Sequence, residues 1–311
     1  MIRILYAAKE AEFANYEQEI STGLTKLGIS HQITQDASAP AEIDYVVYAP
    51  NSAVQDFAPF TKLKLVQSLW AGVETVTGNT TLTQSLARMV EHGLTHGMAE
   101  YVLGHVMRHH LHADFYAQQK PGIWRDDVVP PLAEDRTVGL LGLGALGHHA
   151  AKVLSNVGFK TLGWSRTQKL SDSFTCFAGD DGLEEVLNNA EILVLLLPNT
   201  PDTHHIINAK TLKKMRDSAF IVNPGRGSLI NDTDLLTALD SGKIAGATLD
   251  VFETEPLPKE HPYWPHPNVL VTPHTASSTR PKTAAQTVVE NIRRGEAGEP
   301  FLHLVDRTLG Y

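Results

Sequence analysis

The sequence predicts an α/β protein with two parallel sheets. Short apolar runs of strand length alternate with helix-length stretches, and this rhythm occurs in two separate parts of a 311-residue chain. That length more often builds two cores than one. Strands that alternate with helices pair in parallel, with helices covering both faces of the sheet. A cleft is expected between the two domains.

The first rhythm begins with strand 2–8 and a helix over 10–27 on which Phe13, Ile20 and Leu24 are the apolar positions. Strands follow at 44–50 and 63–70, and "NTTLTQS" leads toward a short fourth. A single long helix is expected over 97–118, ended by the proline at 121. The second rhythm places strands at 137–141, 160–164, 191–196, 219–223, 245–249 and 268–272. Its helices are expected at 145–157, 181–189, 208–215 and 231–241, with a last helix over 280–294. That last helix is expected to return to the first domain. The domains are therefore 1–96 plus 277–311, and 97–276, joined by helices and not by a flexible tether.

Composition narrows the partners. Acidic residues number 35 against 26 basic ones, and no Lys/Arg run is long enough to follow a phosphate backbone. Nucleic acid and anionic membrane are poor partners for such a chain. The single cysteine, Cys176, rules out a disulfide framework and suits a reducing cytoplasm. The opening "MIRILYAAKEAEF" turns to charge too soon for a signal peptide and reads as a strand. No apolar run reaches membrane-spanning length.

The strongest local signal is "TVGLLGLGALGHHAAKVL", where Gly142, Gly144 and Gly147 are spaced G-x-G-x-x-G between an apolar strand and a helix. One glycine makes the tight turn, one admits a pyrophosphate against the backbone, and one lets helix pack on strand. The helix N-terminus at Ala145 and Leu146 then offers free N–H groups to phosphate. A glycine-rich turn without a ligand is the plainer alternative. An NAD site presents a carboxylate at the end of the next strand. Here that position reads "WSRTQK", with Ser165, Arg166 and Thr167 and no carboxylate before Asp172. A guanidinium suits a 2′-phosphate, so NADP (NADPH) is expected, with NAD the alternative if Arg166 is only a solvated surface residue. The domain is read as a dinucleotide-binding Rossmann domain.

Three later strand ends carry polar groups: Arg226 in "NPGRGS", Asp250, Glu253 and Glu255 in "LDVFETEP", and His274 in "VTPHTA". In a parallel sheet such loops share one edge, so residues distant in sequence meet there. Each alone also has an ordinary structural reading, and a histidine after a proline at a strand end is ambiguous by itself.

Taken in order, "LVQSLWAGVETV", "GLLGLGALG", "LPNTPDTHHIIN", "NPGRGSLIN", "SGKIAGATLDVFETEPLP" and "TPHTA" resemble the D-isomer-specific 2-hydroxyacid dehydrogenase family over essentially the whole chain. The details "WSR", "TRP" and "VDRTLGY" resemble its glyoxylate/hydroxypyruvate reductase A branch. The resemblance implies two Rossmann-like domains, the first flavodoxin-like and completed by the C-terminal helix. It implies that Arg226 binds the substrate carboxylate, His274 is the acid/base, and Glu255 orients the His and supports its charged form. It also implies a substrate-carboxylate loop at Ala71, Gly72 and Val73, preceded by Trp70 where the family usually has a small residue. Asp250, Asn223, Pro224 and Pro198 are expected along the cofactor.

Tyr48 and Trp70 are candidates to close a small pocket, or else ordinary core or rim aromatics. His105, His109 and His112 share one helix face but lack a carboxylate between them, so a partner helix is expected there and no metal. His148, His149, His204 and His205 are read as surface or cofactor-rim residues. The expected activity is NADPH-dependent reduction of a small 2-oxo acid, glyoxylate or hydroxypyruvate, to the 2-hydroxy acid. An NAD-dependent dehydrogenase of another small acid and a non-catalytic NADP-binding regulator are the alternatives. The apolar face of the 97–118 helix and the resemblance lead us to expect a homodimer, in which Trp124 is a candidate to reach the neighbouring subunit.

Overall fold

In the computed structural model, which describes residues 1–119 and 122–310, the chain divides into two compact units, Met1–Leu94 with Ser278–Tyr311, and Thr95–Ser277. The proline at 121, expected to end the long helix, and the last residue of "VDRTLGY" lie outside the described residues.

The first unit holds β1 (Ile2–Ala7), α1 (Phe13–Lys26), β2 (His31–Thr34), β3 (Tyr45–Tyr48), β4 (Leu65–Ser68), α2 (Glu74–Thr77) and β5 (Ser85–Ala87). Its five strands are parallel in the order β2-β1-β3-β4-β5, the order of flavodoxin-like sheets. The helix α3 (His92–His110) begins here, and α9 (Pro281–Ala297) returns to this unit and packs along α1. The approach of the two helices is close. A Cβ on Gly23 of α1 would stand 2.7 Å from the Val289 side chain. Polar bonds fasten the same face: Tyr45 donates to Glu296 at 2.7 Å, and the Asn291 amide donates to Gln67 Oε1 at 2.6 Å inside the core.

The second unit contains α4 (Ala113–Gln118), β6 (Thr137–Leu141), α5 (Ala145–Val157), β7 (Lys160–Ser165), β8 (Thr175–Ala178), α6 (Gly179–Asn189), β9 (Ile192–Leu195), α7 (Ala209–Lys214), β10 (Ala219–Asn223), α8 (Asp232–Asp240), β11 (Ile244–Leu249) and β12 (Val269–Val271). All seven strands run parallel in the order β12-β11-β10-β9-β6-β7-β8. From β8 to β11 this is the doubly wound dinucleotide-binding order, and its switch point lies between β6 and β9. The central strands β6 and β9 are buried on both faces, which explains their unbroken apolar sequences.

Two strands escaped the sequence reading. Both β2 ("HQIT") and β8 ("TCFA") are edge strands, mostly half-buried, and neither has an apolar run or clean alternation. A second correction concerns the long helix, which stops at His110. His112 takes a left-handed conformation (φ 52°) before α4 begins. The apolar face of α3 is also spent within its own unit. Met98, Ala99, Val102 and Val106 join the core formed with Val138, Leu140 and Leu154.

His109 belongs to that buried face and not to a partner helix. It is 3% exposed, stacks on Phe220 at 4.6 Å and bonds Thr248 Oγ1 through Nε2 at 3.0 Å. Burial lowers its imidazole from 6.5 to about 4; Arg108 and His105 push the same way and Asp114 opposes them. Below about 6.5 the unfolded chain takes up a proton that folded His109 refuses. Stability is therefore complete above that pH and falls as the pH drops toward 4, by about 3 kcal/mol for this residue. In urea titrations, wild type should lose about 2 kcal/mol more than His109→Gln between pH 7 and pH 5. Equal losses would show that His109 is not the sensitive group.

Candidate active site

The C-terminal ends of β6 and β7 form the glycine-loop side of the candidate site. Gly142 has φ 108°, and a Cβ there would stand 2.5 Å from the Leu196 carbonyl oxygen. Gly147 sits on the first turn of α5, where a Cβ would lie 1.9 Å from the Gly142 carbonyl oxygen. Neither position has room for a side chain. Gly144 is different: it is exposed, precedes α5, and a Cβ on it would meet nothing within 4 Å. The loop thus turns tightly, packs its helix closely, and leaves bare backbone facing free space at Gly144 and Ala145. That is the arrangement a pyrophosphate needs at a helix N-terminus.

A groove of about 550 Å³ runs beside this loop, lined by Thr95, Gly144, Ala145, His148, Lys152 and Lys169 among others. Among the described residues no carboxylate lines it. Lys152, on α5, was missed in the sequence because a lone lysine on a helix resembles any solvated residue. Lys169 belongs to the same "WSRTQK" stretch as Arg166. At the end of β7, Arg166 and Thr167 are exposed, and the Ser165 hydroxyl donates to the Thr167 carbonyl at 2.8 Å, tightening the turn. Leu146 is half-buried at the start of α5. On the neighbouring strand end, the Pro198 carbonyl accepts a bond from Thr203 at 2.6 Å.

The second part of the site lies at the ends of β10, β11 and β12, adjacent in the sheet. Asn223, at the end of β10, and Pro224 after it are buried. The Asn223 side chain accepts from Gly225 N at 3.1 Å and donates to the Arg226 carbonyl at 2.9 Å. This fixes the turn that presents the half-buried Arg226, whose guanidinium also donates to Gly225 O at 2.6 Å. Gly227 then packs on the next loop, where a Cβ would lie 1.9 Å from the Phe252 carbonyl carbon and 2.3 Å from Glu253 N.

Glu255 is held from both oxygens. One accepts the Phe252 amide at 2.9 Å, and the other meets His274 Nδ1 at 2.7 Å. The His274 side chain is 56% exposed, and its backbone takes the left-handed conformation (φ 54°). For a non-glycine residue this costs roughly 1–3 kcal/mol unless the surroundings impose it. Here they do, through Asp250.

The sequence reading put Asp250 on the cofactor side. In the structure it is fully buried, and its carboxylate serves the His274 loop. It accepts from the Thr272 hydroxyl at 2.5 Å and from the amides of Thr275 and Ala276, each at 2.9 Å. Its backbone carbonyl accepts the His274 amide at 2.8 Å, and Tyr101 continues the network to Thr272 at 2.7 Å. Burial pushes the Tyr101 phenol well above its ordinary value. A correction concerns Tyr48 in the first unit. It is 1% exposed, packed edge-on against Phe57 at 5.4 Å within the core, and so has no surface for a substrate. Trp70 is 43% exposed, and the Ser68 hydroxyl accepts its amide at 3.0 Å. Ala71 and Gly72 are half-buried and Val73 is buried, just before α2.

Comparison with known proteins identifies the fold and chemistry together. Residues 101–276 match the family model described as "D-isomer specific 2-hydroxyacid dehydrogenase, NAD binding domain". The chain belongs to the D-isomer-specific 2-hydroxyacid dehydrogenase family. It is accordingly an NAD(P)-dependent 2-hydroxyacid dehydrogenase. Over 281 residues it is 38% identical to glyoxylate/hydroxypyruvate reductase A of Yersinia enterocolitica, covering 88% of each chain. A family member from Xanthobacter autotrophicus, solved in complex with NADPH and MES, superposes with a TM-score of 0.92 at 38% identity over 99% of both chains. The NADPH-dependent glyoxylate/hydroxypyruvate reductase of Sinorhizobium meliloti, solved with NADP and sulfate, gives 0.87 at 35% identity over the full length of both.

The contact at Gly227 yields a prediction for this dehydrogenase. Replacing Gly227 with Ala forces a methyl into the Phe252–Glu253 backbone and should cost about 1–3 kcal/mol. Differential scanning calorimetry should show a lowered Tm, with activity falling further than folding because Glu255 lies on the displaced loop. An unchanged Tm and activity would mean that the two loops separate without penalty.

Proposed function

We propose that the enzyme reduces a small 2-oxo acid, glyoxylate or hydroxypyruvate, with NADPH as the reductant. The observation that carries this reading is the 2.7 Å pair of His274 and Glu255 on strand ends of the same sheet that bears the glycine loop. The reductases among the relatives, and the related structures solved with NADPH and with NADP, support the choice of substrate and cofactor.

The residues present fit a dinucleotide. Gly142, Gly144, Ala145, Leu146 and Gly147 would hold the pyrophosphate. Ser165, Arg166 and Thr167, with Lys169, would take the 2′-phosphate, where a carboxylate would repel it. Pro198, Asn223 and Pro224 would shape the cofactor's edge. Bound NADPH supplies the hydride.

Arg226 pairs its two parallel donors with the substrate carboxylate and polarises the keto group. Trp70, Ala71, Gly72 and Val73 add carboxylate contacts and limit substrate size. With Nδ1 committed to Glu255, His274 presents Nε2 to the substrate and donates a proton as charge develops on the keto oxygen. Hydride on carbon and proton on oxygen together complete the hydroxy acid. Asp250 keeps the His274 loop in place.

A homodimer completes the proposal. Leu111, Phe115, Ile123, Trp124, Val129 and Leu132 are large exposed apolar side chains within one short stretch, more than an isolated surface ordinarily leaves uncovered. The cytoplasm is the compartment we assign. Among the described residues no helix is long and apolar enough to cross a membrane.

Initial rates with glyoxylate, hydroxypyruvate and pyruvate, each with NADPH and NADH, test the reading. We expect turnover of the first two with NADPH strongly preferred, and that preference should shrink in Arg166→Ala. His274→Gln should lower kcat by ~10²–10⁴-fold, and Arg226→Lys should lower kcat/KM steeply. Equal rates with NADH would overturn the cofactor assignment alone. Silence toward all three acids would overturn the substrate class. Light scattering coupled to gel filtration should give twice the chain mass, and a Trp124→Glu, Leu132→Glu variant should shift toward monomer.

A further inference from the structure

Two loops of the second unit bring together three ligand-type side chains that the proposed reaction does not use. His204 and His205 come from the loop after β9, and Glu253 from the loop after β11. One ligand atom from each lies within 4.8 Å of the others, and His205 Nε2 is 2.9 Å from Glu253 Oε1. The two imidazoles stack at 3.9 Å with 23° between their planes. We propose that His204, His205 and Glu253 form a binding site for a divalent transition-metal ion of the zinc class.

Consecutive residues rarely turn both side chains the same way, because an extended backbone sends them to opposite sides. His205 escapes this by adopting the left-handed conformation (φ 50°), uncommon for a residue with a Cβ. The loop is built to hold it there. Its amide donates to Ser228 O at 2.8 Å, and the His204 amide donates to Thr200 O at 3.0 Å. Thr203 ties the base of the loop by donating to Pro198 O at 2.6 Å. The third ligand is fixed from the other side, since Gly227, beside Ser228, packs on the Glu253 backbone. The same small turn therefore supports both loops.

The donor set selects the ion. Two imidazoles and one carboxylate suit zinc, nickel, cobalt or copper, whereas magnesium and calcium prefer all-oxygen shells. Zinc binds these ligands at ~2.0–2.2 Å in a tetrahedron, so adjacent ligand atoms must approach to roughly 3.3–3.5 Å. The three ligand atoms already lie within 4.8 Å of one another, so rotation of the side chains is the change that brings them to this spacing. His204 and Glu253 are exposed and His205 is half-buried, which lets the ion exchange with solution and leaves the fourth position to water.

Isothermal titration of the full-length protein with ZnCl2, and absorption spectroscopy with CoCl2, test this in a non-chelating buffer. We expect one equivalent of zinc with low-micromolar affinity and an intense visible cobalt band of low coordination number. His204→Ala and Glu253→Gln should each weaken binding by ~10-fold or more with an unchanged melting profile. His261→Asn, which alters a separate His–carboxylate pair with Asp232, should leave binding intact. Absence of saturable binding would overturn the proposal and leave His205–Glu253 as a plain hydrogen bond. So would binding that survives both ligand variants, because the ion would then sit on other histidines. Neither result bears on catalysis by His274.

Discussion

A carboxylate buried away from water is tolerated only where protein donors replace its hydration. Asp250 meets that condition with the Thr272 hydroxyl and two loop amides, while its backbone carbonyl takes the amide of His274. This knot determines where the loop after β12 can go. It holds His274 in a left-handed conformation that a free chain would abandon. The Glu255 carboxylate, five residues beyond Asp250 on the preceding loop, is thereby brought to 2.7 Å from the imidazole. The candidate acid/base pair is thus a consequence of one buried group that does not itself face the pair.

Glycines make the same strand ends compatible. Gly142 and Gly147 allow the strand-to-helix turn at β6, and Gly227 allows the Arg226 turn to rest on the Glu253 backbone. In each case the space is already filled by a carbonyl or a peptide carbon, which cannot move as a side chain would. The bare backbone at Gly144 is the exception, where space is left for a ligand. Close packing beneath and free space above are what separate a dinucleotide loop from an ordinary turn.

Histidines illustrate how one residue type takes different roles from its surroundings. His109 is buried against Phe220 and held neutral by its desolvation. His274 is exposed and paired with a carboxylate at the sheet edge. His204 and His205 stack beside Glu253 on a loop fastened by backbone bonds. In the sequence His109 shared a helix face with His105 and His112 that pointed toward a partner helix, whereas its side chain packs into the unit's own core.

The sequence by itself determined the α/β class, the glycine loop and the strand-end positions of Arg226, Glu255 and His274. These signals are local or periodic: apolar runs of buried strands, a spacing that only glycines satisfy, and polar residues where parallel strands end. It also carried an ordered set of motifs sufficient to resemble the family to which the chain belongs. Tertiary structure decided the rest. The edge strands β2 and β8 lack an apolar pattern because each is paired on one side only, and the break at His112 leaves no propensity signal. Tyr48 is in the core and Asp250 serves the His274 loop, because the groups they meet lie on other strands and loops. The same holds for His205 and Glu253, 48 residues apart in sequence. Their meeting depends on strand order in the sheet, which no stretch of sequence encodes alone.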